Sequence, residues 1–235
     1  MAHAGKTRAV PPRAIIYSTG DRESPEAYEQ FQDSMRGGFL PWSGKKIGDA
    51  KFRIRIEAIH VDDGFIGRVD TVDTLSVRTK SDISASSGEY VYASFNLFGT
   101  MTFEQNDEVN VSKPGDLVIF DSGRPARVSN QAARGRTCSG AIALMIPKSS
   151  FPHMDAEASF ANVRIPRERL LTPLSNSLNL LTNRMPTAAG LELAAIYDAC
   201  VDLLPIAVGA VDEDRSALHL CPPTAAFREV LSLVE

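Results

Sequence analysis

The chain has 235 residues, 43% of them hydrophobic and 23% charged, and a formal net charge of −4. Those proportions describe one large folded domain, or one domain with an appendage, and exclude a disordered or low-complexity chain. The acidic balance also excludes a free-standing nucleic-acid binder, which needs a cationic face to neutralise phosphates.

No uninterrupted apolar run approaches the ~20 residues of a membrane helix, so no membrane partner is expected. Residues 1–13 are small and basic, lack the apolar run of a signal peptide, and read as a loose tail. Cys138, Cys200 and Cys221 are far apart and show no C-x-x-C spacing. This points to buried, reduced thiols in a cytoplasmic protein rather than a disulfide framework or a zinc ribbon.

In chain order, Pro25 to Met35 comes first. Ser24 can cap and Pro25 suits the first helical position, while Tyr28, Phe31 and Met35 share one helical face. From Phe52 to His60 the pattern alternates: Phe52, Ile54, Ile56, Ala58 and His60 against Arg53, Arg55 and Glu57, a half-buried strand. Phe65 to Val72 returns after an Asp-Asp-Gly turn. Leu75, Val77 and Thr79 alternate with Ser76, Arg78 and Lys80. Strands follow over Tyr90–Phe98, Thr100–Glu104, Val109–Val111, Leu117–Phe120 and Thr137–Ile146, with a hairpin loop at residues 105–108. About eight or nine short strands between Gly, Pro, Asn and Asp predict an antiparallel double-sheet jelly roll.

Beyond Pro147 the pattern turns helical, so the fold class is α+β. The expected divisions are a tail over 1–13, a barrel with a docked helix over 14–147, and a helical region over 148–235. Thr172 and Pro173 open a helix with Leu174, Leu178, Leu181 and Met185 on one stripe. A second helix, from Thr187, carries two apolar seams. Leu193, Ile196, Cys200 and Leu203 have 3-4-3 spacing and form the candidate dimer interface, leaving the other seam, through Ala194, Tyr197, Val201, Leu204, Val208 and Val211, for the barrel. The alternative sandwiches this helix wholly inside its own subunit. Pro205 should kink or end it. Thr224 to Glu235 reads as a third helix.

The string Lys113–Pro125, KPGDLVIFDSGRP, closely resembles an element of the N-terminal domain of AraC-type transcriptional regulators. Val77-Arg78-Thr79, Tyr90–Gly99 and Leu144–Lys148 look like that family's arginine-bearing strand, aromatic strand and closing apolar strand. The resemblance runs roughly from Ala14 to Val211. It implies a cupin-like barrel that holds a small-molecule effector, helices that make a homodimer, and DNA binding through a helix-turn-helix domain absent from this sequence. Independently of any family, Pro114 and Gly115 make a turn in which Asp116 can accept backbone N–H groups.

The residues offer little for catalysis. His3, His60, His153 and His219 are unpaired, and Arg127 follows the turn where a ligating His would be wanted, so no metal is expected. No nucleophile elbow and no phosphate-binding glycine string is present, so no cofactor is expected and no enzyme activity is assigned. The candidate ligand-binding residues are Arg78, Tyr92, Phe95, Asn96 and Arg127, in a mainly apolar pocket with a few orienting polar groups. An inward Arg would pair an acidic ligand, whereas on the outer face it would simply be solvated. Tyr92 and Asn96 share one strand face and Phe95 takes the other. The competing reading is a metal-free cupin-like binding protein or enzyme, complete as it stands.

Overall fold

The computed structural model describes residues 14–18, 29–31, 33, 41–47, 52–61, 63–86, 89–152 and 160–220. The tail over 1–13 and the third helix over 224–235 lie outside them, as does most of the early helix, of which residues 29–31 and 33 are helical.

Among the described residues, twelve strands form two antiparallel sheets facing each other as a jelly roll. The larger sheet has the order β1 (Ala14–Ser18), β3 (Ile54–Val61), β4 (Gly64–Thr71), β11 (Ser139–Pro147), β6 (Tyr90–Phe98), β9 (Leu117–Asp121) and β12 (Val163–Ile165). The smaller has β2 (Ser43–Lys46), β5 (Thr74–Arg78), β10 (Ala126–Gln131), β7 (Thr100–Gln105) and β8 (Glu108–Ser112). Strands β1, β2, β10 and β12 were not expected from the sequence. They are short, and β10 and β12 carry charged or polar residues that mask alternation. Because β12 follows Pro147 and pairs with β9, the larger sheet draws on chain beyond the barrel boundary expected at 147.

Besides the helical residues 29–31 and 33 and a 3-10 turn at Lys148–Ser150, the described residues form three α-helices: α1 (Lys80–Ser84), α2 (Thr172–Arg184) and α3 (Gly190–Leu220). Strand β5 ends at Arg78 rather than running on to Lys80. Thr79 instead caps α1 in a reciprocal capping box with Asp82, whose N–H lies 3.2 Å from the threonine hydroxyl. Helix α2 has Leu171, not Thr172, at its cap, and its buried stripe is Leu174, Leu178 and Leu181, followed by Met185.

The larger sheet is buried on both faces, and this divides the core in two. Its outer face carries Ile59, Val61, Ile66, Val91, Ala93, Phe95, Leu117, Ile119, Ile142, Leu144 and Ile146, packed against α2 and α3. Its inner face turns towards the smaller sheet with Tyr92, Val118, Phe120, Ala141 and Met145, joined by Trp42, Met101 and Phe103. Two faces buried on one strand produce near-continuous apolar runs such as LVIFD in β9, which is buried throughout.

Helix α3 corrects three sequence expectations. Its buried face is a single broad stripe of Leu193, Ala194, Tyr197, Cys200, Leu204, Ala207, Val208 and Val211, all in the core shared with the barrel. The candidate interface residues Leu193 and Cys200 are therefore inside the subunit, and Ile196 and Leu203 are half-buried against the same core. Of the two outcomes expected at Pro205, a kink or an end, the helix does not end there but continues to Leu220, with Leu204 before the proline and Ala207, Val208 and Val211 after it buried in the core. Finally, Gly190–Val211 is long and apolar enough to cross a membrane by length and composition, with a mean hydropathy of 1.7. Asp198 and Asp202 break its apolar runs, and its buried face packs in the core formed with α2 and the larger sheet.

Candidate functional site

A cavity of about 190 Å³ lies between the two sheets. Its shape follows from the strand register. Side chains alternate across a sheet, so residues paired across adjacent strands form rows on one face. One inward row is Phe65, Met145, Tyr92 and Phe120, running across β4, β11, β6 and β9. The next row, two residues along each strand, is Ala58, Gly67, Ala143 and Ser94. Four small residues in register leave a floor with space above it. Beyond it come Ile56, Val69 and Ala141, and then Ile54, Thr71 and Ser139. The smaller sheet supplies the roof: Thr74 and Ser76 from β5, Val128 and Asn130 from β10, and Met101 and Phe103 from β7.

The two ends differ chemically. At one end the aromatic rings pack together: Tyr92 stacks on Phe120 with centroids 4.6 Å apart, and Trp42 meets Tyr92 and Phe120 edge-on at 6.1 and 6.0 Å. The Trp42 indole N–H donates to the Tyr92 hydroxyl at 3.2 Å. Burial pushes the Tyr92 phenol up to about 12, against the opposing pull of that hydrogen bond and of the Arg78 charge. At the other end stand the hydroxyls of Thr71, Thr74 and Ser139 and the amide of Asn130, whose nitrogen donates to the Thr74 hydroxyl at 3.2 Å. The Thr71 hydroxyl is buried and has no hydrogen-bond partner in the structure. Among the described residues, no Asp, Glu, Lys, Arg or His belongs to the lining.

Of the five ligand-binding candidates, Tyr92 lines this cavity and the other four do not. Arg78 sits on β5 and is only 1% exposed. Its Nε, Nη1 and Nη2 donate to the Ser122 carbonyl at 2.8 Å, the Pro41 carbonyl at 2.7 Å and the Ser86 hydroxyl at 2.6 Å. Burial draws its pKa down, while Tyr92, Asp82 and Asp121 pull it back up. The guanidinium thus ties three loops to the barrel instead of facing a ligand. Phe95 is on the outer face of β6, in the core under the helices. Asn96 is fully buried and its amide clamps the Gly99 and Ser112 carbonyls at 3.2 and 3.0 Å. Arg127 points outward from β10 beside Glu104, at 3.7 Å, because Val128 and Asn130 take the inward positions.

The PGD turn is a structural staple. Gly115 has φ 91°, and its N–H reaches the Asn96 carbonyl at 2.8 Å. The Asp116 carboxylate accepts the Lys113 N–H at 2.9 Å, the Arg167 N–H at 3.0 Å and the Arg164 guanidinium at 2.8 Å. It thereby fastens the strand after Phe160 to the barrel. His60 is exposed and edge-on to Phe65 at 4.2 Å. Among the described residues, no three of His, Cys, Asp and Glu are grouped so as to hold a metal ion.

Several lining residues escaped the sequence reading: Trp42, Ala58, Gly67, Thr71, Thr74, Asn130, Ser139 and Ala143. On β5 the polar Thr74 and Ser76 line the cavity, while Leu75 and Val77 do not. The available signal was the run of small and hydroxylated residues inside strands, where large side chains would be needed to fill a solid core.

A family model described as an AraC-binding-like domain matches residues 31–220. Among solved structures, the AraC-like transcriptional activator CuxR superposes with a TM-score of 0.67 at 16% identity, over 82% of this chain and 69% of that one. At that identity the likeness establishes the fold. The cupin domain of an XRE family transcriptional regulator from Enterobacter cloacae matches 40% of this chain and 95% of its own, with 12% identity and a TM-score of 0.32. The EutQ protein of Clostridium difficile matches 41% of this chain and 69% of its own, also with 12% identity and a TM-score of 0.32. No curated protein matches the sequence significantly.

Proposed function

The chain belongs to the AraC-binding-like domain family, and from that premise we propose that it is the effector-sensing portion of a transcriptional regulator, not an enzyme. The observation that supports this most is the cavity between the sheets: largely apolar and, among the described residues, bordered by a few uncharged polar groups, the composition of a small-molecule site. The same sheet that floors the cavity packs its outer face on α2 and α3. Tyr197 of α3 donates to the Met145 carbonyl at 2.9 Å, and the Met145 side chain lines the cavity. An occupant pressing on Met145 therefore acts one residue away from the helix.

Self-association belongs to this reading, on the outward face of α3, where Leu191 and Ile206 are 68% and 60% exposed. DNA recognition is assigned to a helix-turn-helix domain outside this sequence, and the setting to the cytoplasm. The test is a thermal-shift screen of small metabolites against the purified chain, repeated with Ala143→Leu, which places a branched side chain on the cavity floor. Stabilisation of the wild type that the variant loses is expected. Stabilisation retained in full by a folded Ala143→Leu protein would place the binding elsewhere and overturn the assignment.

A further inference from the structure

The row of small residues on the cavity floor holds one polar atom that the fold leaves unused. In that row Ser94 of β6 lies between Ala143 of β11 and Val118 of β9, with Gly67 and Ala58 beyond Ala143. Ser94 is 7% exposed and lines the cavity. Among the described residues its hydroxyl has no hydrogen-bond partner. Unlike the Thr71 hydroxyl, which is sealed in, the Ser94 oxygen keeps accessible surface, and its place in the lining opens that surface to the cavity. The other two serines of the lining differ, since Ser139 donates to the Thr71 carbonyl at 3.3 Å and Ser76 is only half-buried.

A buried hydroxyl without a partner opposes folding, and alanine would avoid that cost, as Ala58 and Ala143 do in the same row. The fold thus gives the Ser94 hydroxyl no structural task and leaves it for a molecule in the cavity. Adjacent positions in a cross-strand row are about 5 Å apart, so an oxygen bonded directly to a ring seated over Ala143 reaches Ser94 with one hydrogen bond. The neighbours specify the ring. Tyr92, about 7 Å along β6, begins the Tyr92–Phe120 stack, and Phe31, Trp42, Phe65 and Phe103 also line the cavity, which favours the edge and face contacts of an aromatic ring. The volume of about 190 Å³ exceeds the roughly 150 Å³ of an apolar cavity that takes up benzene, and so admits one ring.

Resting on the reading of the barrel as an effector site, we propose that Ser94 is its specificity-determining hydrogen-bond group and that the ligand is a single-ring phenol whose ring-bound hydroxyl meets it. Trp42 is the sole tryptophan of the chain and lines the cavity, so its fluorescence reports occupancy. Phenol, toluene and benzoate are titrated into the wild type and into Ser94→Ala, with thermal unfolding to show that the variant is folded. Toluene replaces the phenol hydroxyl by a methyl group of similar size, and benzoate carries its oxygens on a charged group. The ratio of phenol to toluene affinity should fall about tenfold in Ser94→Ala, through weaker phenol binding with toluene binding undiminished. Ser94→Cys, which keeps a side chain of similar shape but offers only a weak thiol donor, should shift the ratio in the same direction. An unchanged ratio in the folded variants would overturn the role of Ser94. Tighter wild-type binding of benzoate than of phenol would overturn the ligand class, and either result leaves the effector-site reading standing. A saturable response to none of the three probes would also overturn the ligand class, and the effector-site reading falls only if the wider metabolite screen likewise finds nothing.

Discussion

Replacing Arg78 with Met tests whether the buried guanidinium is a fastener of the fold or a ligand group. Met retains a long apolar stem and removes the charge and all donors. In the wild type, three nitrogens donate to Ser122, Pro41 and Ser86 over 2.6–2.8 Å. Hydrogen bonds from a charged donor contribute about 1.5–3 kcal/mol each, and acceptors left buried and unmatched carry a penalty of about 1–3 kcal/mol. Against this, removing an ion that is 1% exposed relieves a desolvation cost of several kcal/mol. Because the acceptors are two carbonyls and a hydroxyl rather than a carboxylate, the balance falls near a net loss of about 3 kcal/mol, at the lower end for breaking a buried charged network. For a chain of this size that lowers Tm by roughly 6–12 °C. Urea unfolding followed by circular dichroism gives the free energy, and Trp42 fluorescence in the same samples gives ligand affinity. A loss below about 1 kcal/mol, or a selective loss of anion binding at unchanged stability, would refute the assignment of Arg78 as a structural tie.

Further expectations concern how α3 docks and how its charges behave. Gly64→Ala should destabilise by about 1–3 kcal/mol, because its Cβ would meet the Tyr197 hydroxyl and the Met145 carbonyl that Tyr197 holds; unchanged denaturant unfolding would contradict this. Burial pushes both the Cys200 thiol, ordinarily 9.0, and the Tyr92 phenol, ordinarily 10.0, up to about 12. Each keeps its proton more tightly folded than unfolded. Stability is therefore complete below pH 9 and declines as pH rises towards 12, by about 1.4 kcal/mol per pH unit for each group in its window. Cys200→Val should move the alkaline unfolding midpoint upward, and an identical midpoint in the two proteins would exclude Cys200 from the transition. Leu193→Glu, at a position 1% exposed, should cost about 3–5 kcal/mol or unfold the chain. Ile206→Glu should leave folding unchanged and convert a dimer to a monomer by light scattering; a monomeric wild type would refute self-association.

Much of the barrel was legible in the residues because antiparallel strands advertise themselves locally. Ile54-x-Ile56-x-Ala58 alternates with charge, the Asn106-Asp107 hairpin carries two residues at φ 55° and 62°, and Pro114-Gly115-Asp116 builds its turn from its own side chains. The stripe of α2 was legible for the same reason, since the 3.6-residue period is written into Leu174, Leu178 and Leu181. Local chemistry is sufficient for features whose partners lie within a few residues.

What a residue faces depends on partners far along the chain. Tyr92 and Phe95 are both buried aromatic residues of β6. The placement of α2 and α3 over one face of the larger sheet decides that Phe95 enters the core beneath them and Tyr92 the cavity. Arg78 reads as a binding arginine until Pro41, Ser86 and Ser122 converge on it from three separate segments. On α3 two seams read as two interfaces, yet one broad face meets the sheet. The cavity exists because Ala58, Gly67, Ala143 and Ser94 fall in one cross-strand row. By itself the sequence determined eight of the twelve described strands and the helices α2 and α3. The tertiary structure decided which faces meet, because register and layer packing join residues whose separation along the chain carries no periodic signal.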